Sequence, residues 1–195
     1  TSRRYPYSRP AKSRRRIENI EAMQSVIEKA KPIKLLAMDV DGVLTDGSLY
    51  FGNSGEEIKA FSILDGLGIK LLRDAGIKPA IITGRSSELL KRRAAELKIE
   101  LIYQGREDKL VALEELRSDL GLSFEEIAYV GDDLPDLSAI RQAGLGITVA
   151  NGHYYVARHA DWQTKAAGGN GAIREICELI LKAQGKLNDA LEQYL

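Results

Sequence analysis

The chain has one cysteine, two histidines and no apolar run that approaches the thickness of a bilayer. A lone thiol, Cys177, excludes an internal disulfide framework. A membrane-spanning helix needs about 20 consecutive apolar residues, and no stretch comes close. No apolar segment follows the N-terminal arginines, so nothing there reads as a secretory signal. The cytoplasm is the expected location, with no membrane partner. Residues 1–16 lack any acid but carry seven bases: Arg3, Arg4, Arg9, Lys12, Arg14, Arg15 and Arg16. The remainder then holds 21 basic against 28 acidic residues, a formal −7. An arm of like charge with two prolines is expected to be disordered over 1–16. Contact with nucleic acid would make binding steeply salt-dependent. A solvated tail is the plainer reading, so no nucleic-acid partner is expected.

What is present fits one soluble domain. At 195 residues, with 44% hydrophobic and 29% charged content, the chain can bury a sizeable core. Ile17, Ile20, Met23, Ile27 and Ala30 recur at helical spacing, which predicts an N-terminal helix over 17–32 stopped at Lys31-Pro32. Strands and helices then alternate through a core domain at 33–184, followed by a tail at 185–195. Alternation of this kind implies a three-layer, doubly wound parallel α/β sheet. Residues 48–61 interrupt it with a β-hairpin around Gly52-Asn53-Ser54-Gly55.

The stretch from Lys34 to Asp46 organises the rest. An apolar run ends in Asp39-Val40-Asp41-Gly42, and alternate strand residues share a side. Asp39 and Asp41 are therefore expected in one crevice, where two anions repel unless a cation intervenes. Other predicted strand and helix ends add Thr83-Gly84, Lys109, and Asp132-Asp133 with Asp136 one turn on. Carboxylates without nearby His or Cys suit a hard cation such as Mg²⁺. A hydroxyl, an ammonium and backbone N–H groups suit a phosphate. Taken singly, Thr83 reads as a strand residue and Lys109 as a solvated side chain; four coincident strand ends point to phosphoryl transfer.

Asp39-Val40-Asp41-Gly42-Val43-Leu44-Thr45-Asp46, Ile82-Thr83-Gly84, Lys109 and Gly131-Asp132-Asp133 resemble the four motifs of the haloacid dehalogenase superfamily. The resemblance implies a Rossmann-like fold, with Asp39 as nucleophile and Asp41 as general acid/base. Thr83 and Lys109 would hold the phosphoryl group, and Asp39, the Asp41 carbonyl and Asp132 would bind Mg²⁺. Asp133 and Asp136 would support these groups from behind.

Only 42 positions separate Asp41 from Thr83, and 26 separate Thr83 from Lys109. Neither gap holds a cap domain, so either the substrate is itself a macromolecule or another subunit supplies the lid. Leu49, Phe51, Ile58 and Phe61 give the hairpin apolar surface that association would bury. The segments 55–61, 65–70, 103–105, 131–136 and 167–172 are similar to the 3-deoxy-D-manno-octulosonate 8-phosphate phosphatase family, a capless, tetrameric branch. That resemblance implies hydrolysis of this sugar acid phosphate in lipopolysaccharide synthesis. It carries substrate contacts to Asp41, Ser62, Ile63, Leu64, Asp65, Gly66, Lys70, Arg85, Arg93 and Lys109. Arg85 is expected just before a helix start, where a cation opposes the macrodipole unless an anion joins it. Arg93 alone would read as part of a solvated face.

Leu64, Lys70 and Asn170 depart from arginines of some relatives, which leaves a nine-carbon, sialic-acid-type 9-phosphate as the alternative substrate. A phosphatase-like domain serving only assembly is the non-enzymatic rival; the complete set Asp39, Asp41, Thr83, Lys109 and Asp132 argues against it. His153 and His159 read as surface residues, and Cys177 shares an apolar face with Ile173 and Ile180.

Overall fold

The computed structural model describes residues 11–195, with side chains from Asn19 onward. Eight strands and eight helices run in the order α1 (Ala11–Ala30), β1 (Leu35–Met38), β2 (Tyr50–Phe51), β3 (Glu57–Ile58), α2 (Ile63–Asp74), β4 (Lys78–Ile82), α3 (Glu88–Glu96), β5 (Leu101–Tyr103), α4 (Lys109–Leu120), β6 (Ile127–Gly131), α5 (Leu137–Gln142), β7 (Leu145–Thr148), α6 (Tyr154–Ala157), β8 (Trp162–Gln163), α7 (Ala172–Ala183) and α8 (Leu187–Glu192). Six strands form one parallel sheet in the order β5-β4-β1-β6-β7-β8. The connections run outward in opposite directions from β1, which makes its C-terminal end the switch point where such sheets bind ligands. Among the described residues no helix is long and apolar enough to cross a membrane.

Strand pleat divides the core in two. Leu36, Met38, Ile81, Ala128 and Val130 face α2 and α7. Leu35, Ala37, Ala80, Ile82, Ile127 and Tyr129 face α4 and α5. Both faces of every central strand are buried, so these segments are continuously apolar rather than alternating. Among the described residues no element packs over the C-terminal edge in the manner of a cap.

Several boundaries differ from the sequence expectation. Residues 1–10 of the basic arm lie outside the described residues, while 11–16, expected to be disordered, begin α1. Alanine, lysine and arginine all favour helix. The expected apolar stripe of α1 is used only at its end. Val26 and Ala30 are buried, but Ile20 and Met23 are exposed because the helix outruns the domain. The predicted tail is mostly α8. Leu187 and Ala190 pack on this chain's own core, and Leu191 and Tyr194 stay exposed. Trp162 and Gln163 form the edge strand β8.

Helix α2 begins at Ile63, with the Ser62 hydroxyl accepting from the Asp65 amide at 3.4 Å. It packs closely on α7. A Cβ on Gly68 would stand 3.0 Å from the Arg174 Cα. Asp65 joins the same contact by capping α7. Its buried carboxylate accepts from the Gly171 amide at 3.3 Å and the Arg174 amide at 2.9 Å. Gly171 has no side chain for that task, so the neighbouring helix supplies the acceptor.

Candidate active site

Three strand ends and one helix start meet at the switch point. Asp39 follows β1, and its amide donates to the Val130 carbonyl at 3.0 Å. Thr83 follows β4, with its amide on the Tyr103 carbonyl and its own carbonyl receiving the Arg106 amide, each at 2.9 Å. Asp132 follows β6, and Lys109 opens α4. Together with Asp41 and Gly84 they line an open cleft of about 580 Å³. Thr83 is buried and accepts the Arg85 amide at 3.4 Å, which leaves its hydroxyl proton for a ligand.

Lys109 is buried, and its three donors are all engaged. The ammonium meets Asp39 Oδ1 at 2.8 Å, Asp136 Oδ1 at 3.1 Å and the Ile82 carbonyl at 3.1 Å. Burial works against its charge, but Asp136 and Asp39 outweigh that and hold its pKa above the ordinary value. Asp136 is equally saturated. Oδ1 accepts from Lys109 and, at 2.7 Å, from the Tyr129 hydroxyl; Oδ2 accepts the Asp132 and Asp133 amides at 3.2 and 3.4 Å. Four donors occupy about four lone-pair sites. Asp136 is thus a fixed support, although one of its oxygens lies within 4.8 Å of oxygens from Asp39 and Asp132. Asp133 is exposed and accepts from the Leu134 amide at 2.8 Å, capping the short turn that aims Asp136 inward.

Asp39 and Asp132 are left with unspent oxygens and surplus charge. Burial, then the Asp136 charge, pushes Asp39 up to about 6 despite Lys109. Burial, then Asp136 and Asp39, pushes Asp132 up to about 7. Three carboxylates face one ammonium, a deficit of two positive charges when all are ionised. An all-oxygen donor set with that deficit fits a divalent hard cation. The backbone is shaped to permit it: Gly42 has φ +95°, and a Cβ there would sit 2.1 Å from Asp132 Oδ2. The loop at Gly168-Gly169 closes behind, its Gly169 amide on the Val43 carbonyl at 2.9 Å.

Asp41 lines the cleft, but its carboxylate does not join the Asp39 group. The strand ends at Met38, so simple alternation does not govern Asp41. It pairs instead with Lys59, whose side chain is 3% exposed, and lies 3.9 Å from the Arg85 guanidinium. Glu57 completes the group, 3.4 Å from Lys59 and 3.5 Å from Arg85. Lys59, Glu57 and Tyr129 were all absent from the sequence-derived site. One signal was available for Lys59: Glu57, Lys59 and Phe61 alternate with Ile58 and Ala60 through β3 and just past it, and Phe61 packs on the core. Arg85 stands three residues ahead of α3 rather than immediately before it, and Asp41 and Glu57 provide its anions.

The remaining predicted substrate contacts are not brought together with the phosphate set. Ile63, Gly66, Lys70 and Arg93 line a separate depression of about 490 Å³. Arg93 is half-buried, donating to the Ser62 carbonyl at 3.4 Å and pairing with Glu96 at 3.2 Å, so it is not merely solvated. Leu64 is exposed, and Asp65 is spent on α7.

Comparison with known proteins agrees with this chemistry. A family model described as haloacid dehalogenase-like hydrolase matches residues 101–176. The 3-deoxy-D-manno-octulosonate 8-phosphate phosphatase KdsC of Escherichia coli is 49% identical over 168 residues, covering 86% of this chain and 89% of that protein. A Moraxella catarrhalis 3-deoxy-D-manno-octulosonate 8-phosphate phosphatase, solved with magnesium ion, phosphate ion and KDO, is 51% identical at a TM-score of 0.88, covering 89% of this chain and 99% of that one. The cobalt-bound Haemophilus influenzae phosphatase is 45% identical at a TM-score of 0.79, over 82% and 93% of the two chains. Relatives of this identity and extent place the chain in the haloacid dehalogenase-like hydrolases, as a member of the 3-deoxy-D-manno-octulosonate 8-phosphate phosphatase family.

Proposed function

We propose that the chain is a Mg²⁺-dependent phosphomonoesterase that converts 3-deoxy-D-manno-octulosonate 8-phosphate to the free sugar acid and phosphate, in the cytoplasm, for lipopolysaccharide synthesis. The observation that carries the chemistry is the cleft where Asp39, Thr83, Lys109 and Asp132 converge. Asp39 Oδ attacks phosphorus as the bond to the sugar oxygen breaks, and Asp41 gives that oxygen a proton. Water then attacks the aspartyl-phosphate, Asp41 takes its proton, and phosphate leaves with Asp39 restored. Thr83 holds a phosphoryl oxygen in line through its free hydroxyl proton, and Lys109 joins it by exchanging one of its present contacts for a phosphoryl oxygen. Held by Asp39, the Asp41 carbonyl and Asp132, the cation supplies the positive charge that offsets repulsion between nucleophile and phosphate.

The lid belongs to a neighbouring subunit in a homotetramer. Leu49, Tyr50, Phe51 and Ile58 on the hairpin, with Ile63 and Leu64 beside it, are all exposed, and a two-stranded hairpin is marginal alone. Lys70 and Arg93, remote from this chain's own cleft, are then available to the sugar acid carboxylate at a neighbour's cleft. The test is phosphate release from a panel of sugar phosphates with and without Mg²⁺, including an eight-carbon 8-phosphate and a nine-carbon 9-phosphate. A clear preference for the eight-carbon ester that vanishes with chelator is the expected result. Preference for the nine-carbon ester overturns the substrate, and turnover in chelator overturns the cation.

A further inference from the structure

The hairpin's returning strand is patterned the wrong way round for a solvated ribbon. Ile58 and Ala60 face outward, while Glu57, Lys59 and Phe61 face inward. An inward lysine on a short ribbon conflicts with the rule that buried ammonium groups are costly unless paired. The Lys59 side chain is nonetheless 3% exposed, and its partner is the Asp41 carboxylate. Two other acids at the cleft have a fixing group of their own: Lys109 for Asp39, and Tyr129 with two amides for Asp136. Among the described residues, Asp41 has no backbone donor on its carboxylate; Lys59 and the more distant Arg85 are what touch it.

We propose that Lys59 is the positioning residue of Asp41. It fixes the direction of a carboxylate that otherwise turns freely about two side-chain bonds, and Glu57 fixes Lys59 in turn. A proton donor must lie within hydrogen-bond reach of the oxygen it serves, so loss of direction is loss of rate. Because Lys59 comes from the hairpin, the same ion pair ties hairpin placement to Asp41. The inference rests on Asp41 being the proton donor to the leaving oxygen.

Leaving-group dependence separates this role from general damage. A sugar alkoxide needs a proton as its bond to phosphorus breaks; a p-nitrophenolate leaves readily without one. The experiment is single-turnover leaving-group release by the Mg²⁺-loaded enzyme in excess, from the sugar acid phosphate and from p-nitrophenyl phosphate. Lys59→Met, Lys59→Arg and the reference Asp41→Asn are compared with the parent. General acid catalysis is worth about 10²–10⁴-fold. Lys59→Met is expected to slow sugar release at least tenfold more than nitrophenol release, and Lys59→Arg to recover much of the difference. Lys59→Gln, which keeps a donor at similar length, serves if the methionine variant does not fold. Equal losses on both esters in the Lys59 variants, with Asp41→Asn still discriminating, overturn the role of Lys59. Equal losses in Asp41→Asn overturn the acid assignment, and the inference with it.

Discussion

Asp39→Asn should make the metal-free protein more stable at neutral pH while abolishing turnover. The Asp39 carboxyl is pushed up to about 6 by burial and by Asp136, against 3.8 in an open chain. An acid held more tightly protonated in the fold contributes full stability below pH 3.8, and that contribution is lost as pH rises to about 6. The gap corresponds to about 3 kcal/mol of destabilisation above that window. Asparagine removes the charge and keeps an acceptor for Lys109, though part of the burden is shared with Asp136 and Asp132. A gain of about 1–3 kcal/mol at pH 8 is expected, or about 3–10 °C in Tm for a chain of this size. The assay is thermal unfolding in chelator and in 10 mM Mg²⁺, at pH 4 and pH 8. The variant should melt above the parent in chelator at pH 8, and the difference should shrink at pH 4. Mg²⁺ should raise the parent's Tm, by about 2.7 kcal/mol of stability if 10 mM is 100 times Kd, and should raise the variant's far less. A variant less stable than the parent at pH 8 in chelator would refute the charge surplus from which the cation was inferred.

Three other variants probe the frame around the site. Gly42→Ala sets a Cβ 2.1 Å from Asp132 Oδ2 on a backbone at φ +95°, so the Mg²⁺ concentration for half-maximal activity should rise at least about tenfold; metal titration of phosphate release reads it. Tyr129→Phe removes the 2.7 Å hydroxyl contact to buried Asp136 and should cost about 1–3 kcal/mol, measured by urea unfolding in chelator. Phe51→Asp with Ile58→Asp puts charge on the exposed hairpin face and should lower the mass seen by light scattering; an unchanged mass would count against hairpin association.

The fold was legible because its signals are local. Apolar runs ending in Asp or Thr mark β1, β4 and β6, and the two buried faces of those strands explain why the runs do not alternate. Gly121, at φ +63°, forms the left-handed C-cap of α4, a stop that glycine supplies locally. Errors came where one signal needed a distant partner to interpret it. Residues 11–16 look like a solvated arm by charge, yet their propensity favours helix, and α1 extends through them. Asp65 sits inside a segment that resembles a substrate loop. Its carboxylate is instead committed to the N-terminus of α7, more than 100 residues on, through the Gly171 and Arg174 amides.

The same distinction divides the site. Asp39, Thr83, Lys109 and Asp132 each follow or open a regular element, so sequence order alone brings them to one crevice. Tyr129 is hidden because a mid-strand tyrosine reads as core; only the pleat and the turn after β6 aim its hydroxyl at Asp136. Lys59 is hidden for the opposite reason, since lysine on a short hairpin reads as solvated. Its burial comes from Phe61, two residues on, packing into the core and turning the charged face of the ribbon toward Asp41. The outward Ile58 is the counterpart of the inward Lys59: one backbone twist serves both. A hairpin that exposes Leu49, Tyr50, Phe51 and Ile58 while burying the Lys59 side chain cannot be explained by the stability of a lone subunit. It makes sense if the outer face meets neighbouring subunits while the inner face holds the acid of the cleft, so that assembly and proton transfer depend on the same few residues.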